Sequence, residues 1–373
     1  MRLADTSVRK KNPAPAAEER RYGSGRPHFC AAEEAAAALK ARFPAGTFVL
    51  LTDERSFALS KLFPPRRTVT LVQETAEALP LFSMPDSTVC AVAAGSAPVF
   101  SAARYFAEVR RIPCVLFPSD ARCEGIAISR GRVLLGGKAA EYPLRAAETY
   151  FDLSRMDGFP EAFARLLLVR LSCFEHAALR VFRKEEGEAD ARYEQLFAAA
   201  EKGISEDREV IVRAGIALGE LGEEGQQGDG RALASLLAGR GEPFACFRAY
   251  RMLTALYRAF FRKGRPRRFF TPDYRARCER AGVGEAGYLR VRIPSAEEYA
   301  ARAMALERAR SRLLRDLGAI TARDRDAERI FRLLGGDLQG AAPPLLSVLP
   351  EYAPEGLSAV IRDFGLLEAE TGV

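Results

Sequence analysis

The chain is 373 residues long, 48% hydrophobic and 28% charged, with a net charge of +7. That length allows two domains with ample cores, and no apolar run approaches the roughly 20 residues that span a bilayer. Arginine is dispersed along the chain rather than gathered in a stripe, which argues against a nucleic-acid partner. The seven cysteines, far apart and without a C-x-x-C pair, point to reduced thiols in a cytoplasm.

Residues 1–26 are basic and carry no apolar core segment, so they read as a flexible tail and not a secretory signal. A helix is expected over Ala31–Phe43, stopped by Pro44-Ala45-Gly46, and then a buried strand in TFVLLTD. RTVTLV is a second β-rich run. The stretch Val89–Ala94 predicts a third strand, which turns at Gly95-Ser96 into a helix ending near Arg111; Cys114–Phe117 predicts a fourth. GIAIS and RVLLGG, separated by Arg130-Gly131, read as a hairpin, and ETYFDL closes this half. Strands alternating with helices imply a mostly parallel sheet covered on both faces.

From Gly158 onward the period becomes helical. Expected helices include FPEAFARLLLVRLSCFEHAALRVFRK, REVIVRAGIALGEL, GRALASLLAG, FACFRAYRMLTALYRAFF, SAEEYAARAMALERARSRLLRDLG and DAERIFRLLGG. The glycine-rich Gly222–Ala232 breaks two of them. Basic residues alternate with aromatics from Phe260 to Arg280, a pattern that fits a helix end, a Gly-Pro turn and a new helix. The organisation expected is therefore α/β plus all-α: a Rossmann-like parallel-sheet domain over 27–152 and a helical domain over 153–373.

AGSAPVFSAARY resembles the V-G-S-G-T-I-x-D-x-x-R-Y of the iron-containing alcohol dehydrogenase and dehydroquinate synthase superfamily, and within it the bacterial glycerol-1-phosphate dehydrogenases. Gly95, Ser96, Arg104 and Tyr105 match, while Ala97 and Ser101 replace glycine and aspartate. IPCVLFPSDARCEG is similar to the family's I-P-F-I-S-V-P-T-A-A-S-x-D-G, with Ser119 for threonine and Glu124 for aspartate. LLTDERSFAL resembles V-x-D-x-N-T-x-x-L. The resemblance implies a dehydroquinate-synthase-like fold, an NAD(P) cofactor held by Asp53, Gly95, Ser96 and Ser119, and a substrate hydroxyl held by Glu124 in a cleft between the domains.

The same resemblance implies a divalent metal on one aspartate and two histidines, and there it fails. The aspartate's position falls near Ala164 or Arg165, the histidines' at Arg231 and Arg240, and only His28 and His176 exist in the chain. No metal is expected at these positions; Asp152, Asp229 and Glu242 leave open a carboxylate-only site for magnesium or calcium. Because Ala97, Pro98 and Ser101 replace residues that face pyrophosphate in the family, NAD(P) binding is expected to be weak or absent. Arg231 and Arg240 are candidates for binding a small anionic or phosphorylated ligand, or for an internal ion-pair network with Asp229 and Glu242. His176 and Cys123 are weighed as base and thiol, with packed, inert roles favoured. The functional expectation is a pseudoenzyme or anion-binding protein; the alternative is an NAD(P)-dependent oxidoreductase acting on a glycerol phosphate or polyol-type substrate. A homodimer is compatible with the sequence.

Overall fold

In the computed structural model of the chain, the residues described are 24–63, 66–70, 81, 83–123, 125–183, 191–222, 228–263, 295–337, 345–346, 349–353 and 356–364. They form two units that divide between Met156 and Asp157.

The first unit is built on six parallel strands. These are β1 (Ser24–Phe29), β2 (Thr47–Thr52), β3 (Arg66–Thr70), β4 (Thr88–Gly95), β5 (Cys114–Pro118) and β8 (Ala147–Phe151), in the order β1-β8-β5-β4-β2-β3. The middle strands VCAVAA and CVLFP are continuous apolar runs because both of their faces are covered. Alternation sorts their side chains. Phe48, Leu50, Cys90, Val92, Val115 and Phe117 meet Ala32, Ala35, Ala36 and Leu39 of helix α1 (Ala32–Arg42) on one face. Helix α2 (Ala97–Arg110) packs on β2, β4 and β5.

α1 has no side-chain cap of its own; Asp152, just past β8, accepts the Ala32 N–H at 3.0 Å. Burial alone would raise the Asp152 carboxyl. Hydrogen bonds from the Ser154 hydroxyl and the Ala32 and Ser154 N–H groups, together with Arg155, outweigh it and hold the group below its ordinary value. Asp152 thus ties the turn after β8 back to α1. The first unit runs to Met156.

Two expectations are corrected here. Ser24–Arg26 are not tail but the start of β1, which pairs in parallel with β8 at the sheet edge, its register shifting between Ser24 and Pro27. An edge tolerates Pro27, which has no N–H to give, and SGRPHF shows no apolar alternation by which to find it. The hairpin is also displaced. β6 (Arg130–Leu135) pairs antiparallel with β7 (Lys138–Pro143), so GIAIS is not its first strand. Gly136 (φ 61°) and Gly137 (φ 76°) make the two-residue turn, which needs positive φ at both positions. β7 is almost wholly exposed and so lacks the pattern of a strand.

The second unit is helical. Its axis is the 25-residue α3 (Phe159–Arg183), against which pack α4 (Ala191–Lys202), α5 (Arg208–Glu220), α6 (Asp229–Gly239), α7 (Ala245–Lys263), α8 (Ala296–Thr321) and α9 (Asp324–Leu333). Two short helices, α10 (Leu349–Tyr352) and α11 (Leu357–Asp363), follow. α5 is capped by Asp207, which accepts the Glu209 N–H, and α8 by a capping box of Ser295 and Glu298. α4 was not foreseen: only Leu196 and Ala200 of its twelve residues are buried, too few to mark a face. The basic-aromatic segment beyond residue 263 lies outside the described residues, as do residues 223–227 of the glycine-rich loop. Among the described residues no helix is long and apolar enough to cross a membrane.

Candidate functional site

The strand order fixes where the first unit can hold a ligand. From β2 the chain leaves toward β3 at one edge; from the adjacent β4 it leaves through α2 toward β5 on the other side. Right-handed crossovers running in opposite directions lie on opposite faces of the sheet. Accordingly, the 3-10 helix Phe57–Leu62 after β2 joins the α1 layer through Leu59 and Leu62, whereas no α2 side chain belongs to that cluster. The carboxyl ends of β2 and β4 are therefore the switch point of the sheet, the ordinary ligand position of such folds.

Four residues expected at a cofactor stand there. Asp53 follows β2, Gly95 ends β4, Ser96 precedes α2 and Ser119 follows β5. Gly95 has φ 141°, and a Cβ on it would lie 2.7 Å from Asp53 Cγ. The Asp53 carboxylate therefore rests directly on the turn, its Oδ1 accepting the Ser56 N–H at 2.9 Å. Ser119 donates its N–H to the Gly95 carbonyl at 3.2 Å. Ser96 is exposed, and its side chain makes no cap hydrogen bond to α2. Pro98 in the first turn withdraws one donor, leaving Ala97 and Val99 to present N–H groups. The Ala97 Cβ faces Gly125, where an added Cβ would stand 2.9 Å from it. A carboxylate so placed opposes a bound phosphate and suits a hydroxyl donor.

The loop after β5 is held by a residue whose weight the sequence did not reveal. Arg104, on α2 and fully buried, donates through Nε to the Arg145 carbonyl (2.7 Å). Its terminal nitrogens reach the carbonyls of Gly125 (2.8 Å), Ile126 (3.2 Å) and Leu144 (3.3 Å). Burial draws its pKa down to about 10, which still leaves it charged at neutral pH. Its signal was the arginine of the matched R-Y pair, and its role is to fasten two chain segments. Glu124, beside Gly125 on this loop, lies outside the described residues. Cys123 is buried and its thiol donates to the Ala121 carbonyl, while Arg122 pairs with Asp120 at 2.8 Å.

The helical unit does not bring its candidates together. Arg231 is in the first turn of α6 and Arg240 is its C-cap residue, both exposed. Nine residues are two and a half turns, so the two side chains leave opposite sides of the helix, their backbones separated by about 14 Å. This spacing along α6 does not by itself converge the two guanidiniums on one anion. Asp229 is wholly buried against Tyr257 and Ser358, and Glu242 reaches Arg248 at 3.8 Å. Ala164 is buried among apolar side chains of α3. Guanidiniums that stay protonated, with a methyl group or a third guanidinium at 164 or 165, do not suit a divalent metal, and among the described residues no group of three or more His, Cys, Asp or Glu is placed to hold one. His176 is stacked on Tyr193 at 3.6 Å with 5° between the rings. Replacing Arg231 or Arg240 by alanine should each change stability by no more than about 0.5 kcal/mol, and the effects should add. Urea midpoints of the two single variants and the double would test this; a coupling above about 1 kcal/mol would show that the two groups meet.

No protein-family model matches this chain, and none of the curated proteins matches it. Solved structures do. Glycerol dehydrogenase from Schizosaccharomyces pombe is 16% identical, covering 87% of this chain and 96% of its own, with a TM-score of 0.42. Maleylacetate reductase from Rhizobium sp. strain MTP-10005 is 13% identical over 93% and 96%, with a TM-score of 0.46. An iron-containing alcohol dehydrogenase from Corynebacterium glutamicum is 13% identical over 87% and 98%, with a TM-score of 0.42. Likeness at this level leaves activity to be argued from the chain's own residues.

Proposed function

We propose that this chain is a divergent relative of the iron-containing alcohol dehydrogenases, on the dehydroquinate-synthase-like scaffold, that binds a small ligand and has lost the family's metal-assisted hydride chemistry. One observation carries the reading: the positions that the resemblance assigns to the metal hold Arg231 and Arg240 of α6 and, near Ala164 or Arg165, a stretch without an aspartate. No Lewis acid can be held by those groups, so the substrate oxygen would lack the electrophile that such a reaction requires. What remains is a binding site of nucleotide type in the first unit. Asp53 would accept a ligand hydroxyl, and Ser96, Ser119 and the first turn of α2 would receive a phosphate or carboxylate weakly.

The alternative is an NAD(P)-dependent oxidoreductase for a glycerol phosphate or polyol-type substrate. The turn of Gly95, Ser96 and Ser119, still assembled at the switch point, favours it. Calorimetric titration of the purified full chain with NADH and NADPH, alongside turnover assays with glycerol and glycerol-1-phosphate in the presence of zinc, iron(II) or nickel, separates the two. The expected result is no turnover above background and a dinucleotide Kd of about 1 mM or weaker. Micromolar binding with metal-dependent turnover would establish the oxidoreductase instead.

A further inference from the structure

The second unit carries a wholly buried polar cluster that the proposed function does not use. Glu175 of α3, Asp229 at the start of α6, Tyr257 of α7 and Ser358 of α11 are 3%, 0%, 0% and 0% exposed. The Tyr257 hydroxyl lies 2.8 Å from Glu175 Oε1 and 2.7 Å from Asp229 Oδ2. Ser358 donates both its N–H and its hydroxyl to Asp229, each at 2.6 Å, and the Leu357 N–H adds a third bond. Glu175 receives the N–H groups of Asp229 and Gly230.

These contacts are caps supplied by tertiary structure. α6 and α11 begin at Gly228 and Gly356, neither of which offers a side-chain cap. Glu175 closes the first turn of α6, and Asp229 closes that of α11. A Cβ on Gly228 would stand 2.9 Å from Glu175 Oε2, so the glycine is needed for the carboxyl to approach. The 356–364 segment is thereby fastened to α6 through one carboxylate.

The protons can be counted. A phenol has a single hydrogen, yet Tyr257 is within hydrogen-bond distance of two carboxyl groups. Asp229, facing Ser358, Leu357 and Tyr257 donors, is the acceptor of that hydrogen. The contact with Glu175 is then bonded only if Glu175 is the donor, which requires it to be protonated. Were both carboxyls ionised, two buried anions would share one hydroxyl.

We infer that the Glu175–Tyr257–Asp229 chain holds one extra proton in the native state at neutral pH, and that this proton pins a pH-sensitive clasp between α6 and the 356–364 segment. Burial, then the Asp229 charge, hold Glu175 well above the ordinary carboxyl range, and burial likewise raises the Tyr257 phenol. Other charged groups stand on the same elements: α6 carries Arg231, and α7 carries Arg248, which reaches Glu242, and Arg258, which reaches Asp324. On α3 the Cys173 thiol is pushed up to about 12, and His176 lies against Tyr193. On α11, Arg362 and Asp363 pair with each other, and Asp363 also with Arg302 of α8.

The sign follows from the direction. A carboxyl whose folded value exceeds its unfolded value of about 4.3 contributes fully below the latter. Its contribution falls as pH rises from there through the folded value. The clasp therefore weakens as pH rises from the unfolded value toward the folded value of Glu175. In Glu175→Gln the amide donates to the Tyr257 oxygen and accepts from the α6 N–H groups, which mimics the protonated acid at every pH.

Thermal unfolding of the full chain and of Glu175→Gln between pH 5 and pH 9 tests the clasp, with hydrogen exchange read at the 357 and 358 amides. The variant's Tm should rise relative to the native protein by roughly 3–5 °C per pH unit until Glu175 ionises. Exchange at the two amides should accelerate faster than hydroxide concentration in the native chain alone, whereas Asp229→Asn should lose protection at every pH. Infrared spectra of the native chain, which need no variant to fold, should show a protonated carboxyl C=O band at neutral pH. Absence of that band, or a Glu175→Gln profile parallel to the native one, would overturn the inference.

Discussion

Replacing Arg104 by leucine should destabilise the first unit by about 4 kcal/mol, the largest single effect expected in the sheet domain. The side chain is fully buried, and its donors hold the carbonyls of Gly125, Ile126, Leu144 and Arg145. Each carbonyl left buried without a donor costs about 1–3 kcal/mol, and relaxation of the loops recovers part of the sum. Leucine fills only the apolar stem's volume, so the loss combines the missing hydrogen bonds with the space the guanidinium vacates. Arg104→Lys is the sharper comparison. It keeps the charge but presents a compact ammonium in place of a planar fork, and should lose about half as much. Urea unfolding followed by far-UV circular dichroism reads the total, and amide exchange near residues 125–126 and 144–145 assigns it to this clamp. A loss under about 1 kcal/mol for the leucine variant would show that these loops are held by other contacts.

Arg104 also illustrates what a sequence displays and what it conceals. The apolar runs of β2, β4 and β5, and the helices α1, α2, α3, α5, α6 and α7, stand within one or two residues of where their patterns place them, because burial writes its period directly into the chain. β1, β7 and α4 were not evident, since an edge strand, an exposed strand and a helix with two buried residues write almost nothing. The switch-point residues Asp53, Gly95, Ser96 and Ser119 were legible because each ends or follows a recognisable strand.

The helical unit was read less well for a geometric reason. Matching Arg231 and Arg240 to two ligand positions fixed their spacing along the chain, but nine residues on a helix place side chains on opposite sides. In the sequence Asp229 stands only as a carboxylate near arginines. Its true partners, Tyr257, Ser358 and Leu357, are 28 or more residues away, and nothing local marks a tyrosine within an apolar run as the bridge between two acids.

The turn between β4 and α2 offers the second large effect. Gly95→Ala should cost about 3 kcal/mol, from two sources that a double-variant cycle can separate. At φ 141° an L side chain is strained wherever it points, and here it also points at the Asp53 carboxylate. Asp53→Ala alone forfeits the bond from the Ser56 N–H, a loss of about 1 kcal/mol. In the double variant the collision is gone while the backbone strain and the lost Ser56 bond remain, so the total should fall short of the sum by about 1 kcal/mol. Simple addition would mean that Asp53 does not rest on the turn, and a Gly95→Ala variant as stable as the native chain would remove the turn itself. The same pair bears on binding. With the carboxylate removed and the glycine kept, a phosphate meets less repulsion at the α2 N-terminus, so Asp53→Ala should bind inorganic phosphate more tightly than the native chain while losing affinity for a ligand held through its hydroxyl.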